Sequence, residues 1–190
     1  YIAYNRYYNG GFAGSIIVKD RQSQNYYVNA GSVPGSNQYC KNPSLVYYYS
    51  YGQIAYENTS NSAIFFAKVI YLGGYNYSWS ALERVSPSAW SNNSNPSLTI
   101  VYSGTPAVAW RNNYNVVGNG SAVCIRMGIV TSGGEWQNAI QSYSYGYTTD
   151  IRPTLGGKTN SYDMSVVWSN NGTVTRGNYK NYSWSSPTVI

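Results

Sequence analysis

The sequence predicts an all-β chain, and three observations carry that prediction. β-branched and aromatic residues dominate, with tyrosine alone supplying 23 of 190 residues, and such side chains suit a pleated, half-buried surface. No window spaces its apolar residues for a helix face; they alternate or cluster in short runs bounded by Gly, Asn, Ser and Pro. Three sequence features also return in one fixed order, the mark of a repeated supersecondary unit.

The first feature is Pro, then Ser or Thr, then an aliphatic: Pro43-Ser44-Leu45, Pro96-Ser97-Leu98, Pro153-Thr154-Leu155 and Pro187-Thr188-Val189. The second is a pair of small or aliphatic residues before an aromatic: Ile2-Ala3-Tyr4, Ile54-Ala55-Tyr56, Val108-Ala109-Trp110 and Val166-Val167-Trp168. The third is a tryptophan after a late turn: Trp79, Trp136 and Trp184. The aromatics Tyr4, Tyr56, Trp110 and Trp168 stand about 52, 54 and 58 residues apart.

Within one period, residues 43–87 read as four strands. The first runs from Ser44 to Tyr49 and turns at Tyr51-Gly52. The second covers Gln53 to Glu57, with a polar turn at 58–61. The third covers Ala63 to Tyr71 and ends in the Gly-rich loop 73–76. Trp79 opens the fourth, which ends near Val85. The same plan is expected over 96–142 and, shortened, over 153–186, with a partial unit at 1–40 and the start of another at 187–190. A period in the fifties holding four short antiparallel strands predicts β-propeller blades. Half-units at both ends would leave bare strand edges, which predicts a partial propeller or a fragment of a larger one. A last strand that completes the first unit and closes a four-bladed ring is the alternative.

Composition narrows the function classes. Charged residues are 9% of the chain, against roughly 25% in an average soluble protein. Asn, Ser, Thr, Gly and tyrosine hydroxyls must therefore provide the wet surface. The net charge of +6 is spread without any Lys/Arg run, which argues against nucleic acid as a partner. No histidine is present, so a histidine base and His-containing metal sites are excluded. Cys40 and Cys124 fall in different units and are expected as unpaired, partly buried thiols. No stretch reaches the roughly 20 apolar residues of a membrane span. An opening Tyr1 without a signal peptide suggests a processed chain or a segment of a longer one.

The order aliphatic-Ala-Trp, a strand with a basic residue, then Ser-Gly-Gly-x-Trp resembles the sialidase-type propellers with Asp-box repeats. Thr131-Ser132-Gly133-Gly134-Glu135-Trp136 is the local match to that family's Ser-x-Asp-x-Gly-x-Thr-Trp turn, without its Asp. The turns at 73–79 and 180–184 keep mainly the Trp. The resemblance implies a propeller fold, and a fold by itself implies no activity. For catalysis it implies an arginine cluster for the substrate carboxylate, a Tyr–Glu nucleophile and an Asp acid, the known departure from the two-carboxylate scheme. The acidic residues are only Asp20, Glu57, Glu83, Glu135, Asp150 and Asp163, and Arg152-Pro153 is a partial echo of the family's Arg-Ile-Pro.

Each unit places one basic residue on its third strand: Lys19, Lys68, Arg126 and Arg176. A rim of cations would suit carboxylated glycans or acidic polymers. The competing structural role is a stem covering a neighbouring unit with its head in water. The runs Tyr47-Tyr48-Tyr49 and Tyr143, Tyr145, Tyr147 put alternate rings on opposite faces. This marks Tyr49 and Tyr145 as contact residues, because tyrosine gives contact area at low entropic cost. The recurring Trp and Tyr markers are expected to pack between units. Asn-x-Ser/Thr sequons at Asn58, Asn76, Asn92, Asn119, Asn171 and Asn181 fall in or near predicted turns, where glycosylation requires them. A chain this rich in Asn and Ser also makes sequons by chance.

The expected function is a non-enzymatic, secreted or cell-surface propeller module, adhesin-like or glycan-binding, within a larger secreted protein. Its partner would be a glycan or an acidic polymer, with the rest of a longer chain or a second copy closing the propeller. No cofactor or metal is expected. The alternative is a fragment of a sialidase-like glycoside hydrolase.

Overall fold

The computed structural model describes residues 2–8, 11–19, 33, 39–49, 51–73, 76–113, 121–128, 134–145, 151–170 and 172–190. Over 2–8, 11–19, 70–73, 76–77 and 144–145, and at 51 and 170, the description is of the backbone. Among the described residues the regular elements are strands, apart from one 3-10 turn at Tyr102–Gly104. The chain is all-β, as its residue pattern predicts. Among the described residues no helix is long and apolar enough to cross a membrane.

Strands β1 (Ile2–Tyr8) and β2 (Gly11–Lys19) form a hairpin. Next comes a meander of β3 (Cys40–Tyr48), β4 (Tyr51–Asn58) and β5 (Ala63–Gly73), each antiparallel to its neighbour. Two short pieces, β6 (Asn76–Trp79) and β7 (Glu83–Arg84), share the outer edge of β5. A second meander holds β8 (Asn93–Val101), β9 (Thr105–Asn112) and β10 (Ser121–Met127). After it, β11 (Gly134–Glu135) leaves the sheet to pair in parallel with β7, and β12 (Gln141–Tyr145) returns to the edge of β10. The third meander is β13 (Thr154–Gly157), β14 (Met164–Asn170), β15 (Thr173–Lys180) and β16 (Ser183–Trp184), with β17 (Thr188–Val189) also on β15.

The Pro-Ser-Leu segments have a common local geometry. The pairing slips between Lys41 and Ser44 on β3, and between Ser94 and Ser97 on β8. Asn42 and Asn95, just before the prolines, take left-handed φ of 49° and 51°, a conformation Asn tolerates better than most residues. Proline removes a ladder donor, so a bulge is where a strand can hold one. Beyond each bulge a serine ties two meanders together. Ser44 Oγ accepts the Leu98 N–H at 2.9 Å, and Ser97 Oγ accepts the Leu155 N–H at 2.9 Å. The first strands of successive meanders therefore lie side by side.

The faces between meanders are filled by alternation. On β9, Val108 and Trp110 point toward the first meander while Ala107 and Ala109 point toward the third. Trp110 and Trp136 lie with Ala55, Ile64, Phe66 and Cys124 in one core. Trp168 lies with Ala109, Val123, Ile125 and Tyr143 in the next, and Trp184 packs against it. Tyr56 lies with Ile54, Ala67 and Cys40 on the opposite face of the first meander, against which Trp79 packs. A large aromatic on one sheet thus meets a small alanine on the other, the shape match that close packing requires. Cys40 and Cys124 are fully interior and no disulfide joins them. Burial pushes the Cys124 thiol up to about 12, leaving it inert at neutral pH.

The late tryptophans differ from expectation in their strands. Trp79 closes β6 opposite Val69, and Trp184 closes β16 opposite Tyr179. Trp136 follows β11, whereas the fourth strand of its meander is β12. Its ring instead covers Gly128, where a Cβ would stand 2.6 Å from the indole. Val69, Gly128 and Tyr179 are each four residues beyond the partner of the marker aromatic. The indole is thus delivered to one place by two different backbone routes.

Candidate functional site

The basic residues singled out in the sequence do not share one register. Lys19 pairs with Ile2, two places before Tyr4, and Arg126 pairs with Val108, two before Trp110. Lys68 pairs with Gln53, three before Tyr56, and Arg176 with Val167, one before Trp168. Side chains alternate faces along a strand, so Arg126 faces opposite to Lys68 and Arg176 and these three cannot form one rim. The side chains of Lys19, Tyr4 and Tyr145 lie outside the described residues. Lys68 is half-buried, and Arg176 is exposed.

Arg126 is committed to structure. It is 6% exposed. Its Nε donates to Asn138 O at 2.7 Å and its Nη1 to Val85 O at 2.8 Å, with Glu135 Oε1 3.9 Å away. Burial pulls its pKa down and Glu135 opposes that. Where the sequence leads one to expect a ligand contact, the Arg126 guanidinium clasps the first two meanders. The same clasp contains Trp136, whose indole N–H donates to Glu83 Oε2 at 2.5 Å and whose backbone N–H donates to Arg84 O at 2.9 Å.

Three of the acidic residues serve packing. Glu57 accepts from Asn42 Nδ2 at 2.9 Å and Asn95 N at 3.1 Å, beside Lys41 at 3.4 Å. Glu135 accepts the Ser88 N–H at 2.9 Å. Glu83 is buried, which raises its pKa above the ordinary carboxylate value; the Trp136 N–H and nearby Lys68 only partly offset this. A raised folded-state pKa gives stability that is complete below the unfolded value and lost as pH climbs through the folded one. Glu83→Gln keeps an acceptor for Trp136 and is expected to flatten that loss. Urea melts from mildly acidic to neutral pH test it, and parallel pH slopes for the two proteins would count against it.

A different surface gathers exposed chemistry. The turns joining the first and second strands of the three meanders lie at one end of the stack, and each presents tyrosine. Tyr48 rests on Gly104, at φ 83°, where a Cβ would approach its ring to 2.9 Å. Tyr48 and Tyr49 meet edge to face at 4.4 Å. The Tyr102 N–H donates to Ser161 O at 3.0 Å, which brings the turn of the second meander onto the 158–163 segment of the third. Tyr102 and Tyr162 then lie 5.2 Å apart, and Tyr162 and Tyr182 5.9 Å apart. Tyr102, Tyr162 and Tyr182, with Asn160, Asn181 and Asp163, line an open groove of about 380 Å³.

Two of these tyrosines are held against their backbone preference. Lys180 pairs with Ser183, so Asn181-Tyr182 is a two-residue hairpin loop with φ of 51° and 61°. That is the type I′ turn, whose second position favours glycine. Tyr49 likewise has φ 52°. A bulky residue in this region is an outlier, and such strain gathers at functional surfaces. Among the described residues Tyr49 and Tyr182 are also the most exposed large aromatics, at 80% and 78%.

Comparison with protein-family models, with curated proteins and with solved structures gives no match for this chain. The site is therefore read from its own side chains. Of the contact residues expected from sequence, Tyr49 belongs to the tyrosine end. Tyr102, Tyr162 and Tyr182 were missed because isolated tyrosines among 23 carry no signal. Asn181-Tyr182 alone was detectable, as a hairpin turn with tyrosine where glycine is usual.

Proposed function

We propose that this chain is a non-enzymatic glycan-binding module of a secreted or cell-surface protein, and that its meanders are propeller-type blades. The blade reading is supported by the paired first strands at Ser44–Leu98 and Ser97–Leu155 and by the aromatic-on-alanine seams. It keeps the sialidase-type resemblance at the level of fold. Binding rests on one observation: Tyr102, Tyr162 and Tyr182 ring an open groove furnished with Asn and Asp. Sugar rings offer an apolar face for tyrosine and hydroxyls for amides and carboxylates. Tyrosine contributes this area with little entropy to lose. Hydrolysis is less well supported, because Arg126, Glu57, Glu83 and Glu135 are engaged in packing.

A glycan array probed with the native protein and with a Tyr102→Ala, Tyr182→Ala double variant tests the reading. Saccharide binding by the native protein and its loss in the variant, at unchanged circular dichroism, is the expected result. Equal binding by both, or turnover of a fluorogenic sialoside, would overturn it.

A further inference from the structure

We infer that the glycan taken by this site is anionic, and that Lys158 and Lys180 read its charge. The inference rests on the glycan-binding reading above and goes on to name the substrate class. A second open groove, of about 480 Å³, adjoins the tyrosine groove, and Asp163 lines both. Its walls carry Lys158, Lys180, Ser165 and Asn178. Both lysines are exposed, and neither forms an ion pair with Asp163 or any other carboxylate among the described residues. Two cations against one carboxylate leave a local surplus of positive charge beside an aromatic platform.

The groove lies on the face of the third meander that points away from the second. There Ser165 and Asn178 take the places that Ala107 and Met127 hold one meander earlier, by their registers to Trp168 and Trp110. Ala107 is fully buried in the seam, whereas Ser165 and Asn178 are half-exposed and bonded to each other at 2.6 Å. A polar, cation-flanked surface has replaced an apolar packing one. A sugar ring on Tyr162 and Tyr182 would place the next residue of a chain at this second groove, with its hydroxyls toward Asp163 and a carboxylate or sulfate toward the lysines. Ammonium groups suit either anion as point charges, so uronate and sulfate esters share the chemistry.

Binding is measured by calorimetry with three probes: polygalacturonate, heparin and a neutral glucan of similar length. The native protein is expected to prefer an anionic chain, and to lose that preference as salt rises, since exposed charges are screened. Lys158→Ala, Lys180→Ala should weaken the anionic chain about tenfold, the scale of two exposed charge contacts, and leave the neutral one unchanged. An effect with heparin alone assigns sulfate, and an effect with both anionic chains assigns carboxylate, the group they share. Equal native affinity for charged and neutral chains, or an intact anionic preference in the lysine variant, overturns the inference while the tyrosine reading stands. No binding of any probe, with Tyr102→Ala, Tyr182→Ala identical to native, overturns both.

Discussion

Trp110→Ala is expected to lower the free energy of unfolding by about 3–5 kcal/mol, the range for large buried aromatics cut to alanine. Trp110 has no exposed surface and fills the seam between the first two meanders. Its indole N–H donates to Asn93 Oδ1 at 2.8 Å, and that same oxygen accepts Asn112 Nδ2 at 2.8 Å. Asn93 in turn donates to Ser62 O at 2.7 Å. Truncation therefore leaves a cavity and loosens a buried polar network that joins β8, β9 and the β4–β5 turn. Trp110→Phe keeps much of the volume and should cost about half as much, since Asn112 still satisfies Asn93. Urea melts report both, and a loss under about 1 kcal/mol for the alanine variant would contradict the seam assignment.

The strand content and its alternation were legible because packing imposes a period on the chain. Tyr56, Trp110 and Trp168 each follow a small or aliphatic residue that must face the other way, so seam geometry is written into adjacent positions. The expected strands from Gln53 and Ala63 fall within β4 and β5, and the one from Ser44 within β3 except for Tyr49, while Tyr51-Gly52, expected as a turn, opens β4. The fourth strands were less legible. Trp136 is carried by a segment that crosses to β7, and no periodicity encodes a parallel two-residue pairing. The basic positions misled for a related reason. Lys68, Arg126 and Arg176 are one residue each on the third strand, yet a shift of one place moves a side chain to the other face. The tyrosine groove was illegible because Tyr102, Tyr162 and Tyr182 come from three loops far apart in sequence. The hydrogen bond from Tyr102 N to Ser161 O helps to draw the first two together.

Arg126→Ala is expected to cost about 2–4 kcal/mol of stability, because it strands the buried Val85 carbonyl, at roughly 1–3 kcal/mol, and removes the partner of the half-buried Asn138 carbonyl. Val85 O and Asn138 O both face the guanidinium, from opposite sides of the seam. The planar fork reaches them from Nε and Nη1 at once. Lysine ends in a single point charge on a flexible stem, so Arg126→Lys should recover only part of the loss. The variant also separates two roles for this cation. A structural clasp predicts a lower urea midpoint and unchanged glycan affinity per folded molecule. A ligand contact predicts the reverse, with a native midpoint and lost affinity. With its bonds to Val85 and Asn138 made, the Arg126 side chain is 7% exposed, which favours the clasp. Melts and calorimetry on the same preparation decide between them, and retained stability with lost binding would return Arg126 to the recognition surface.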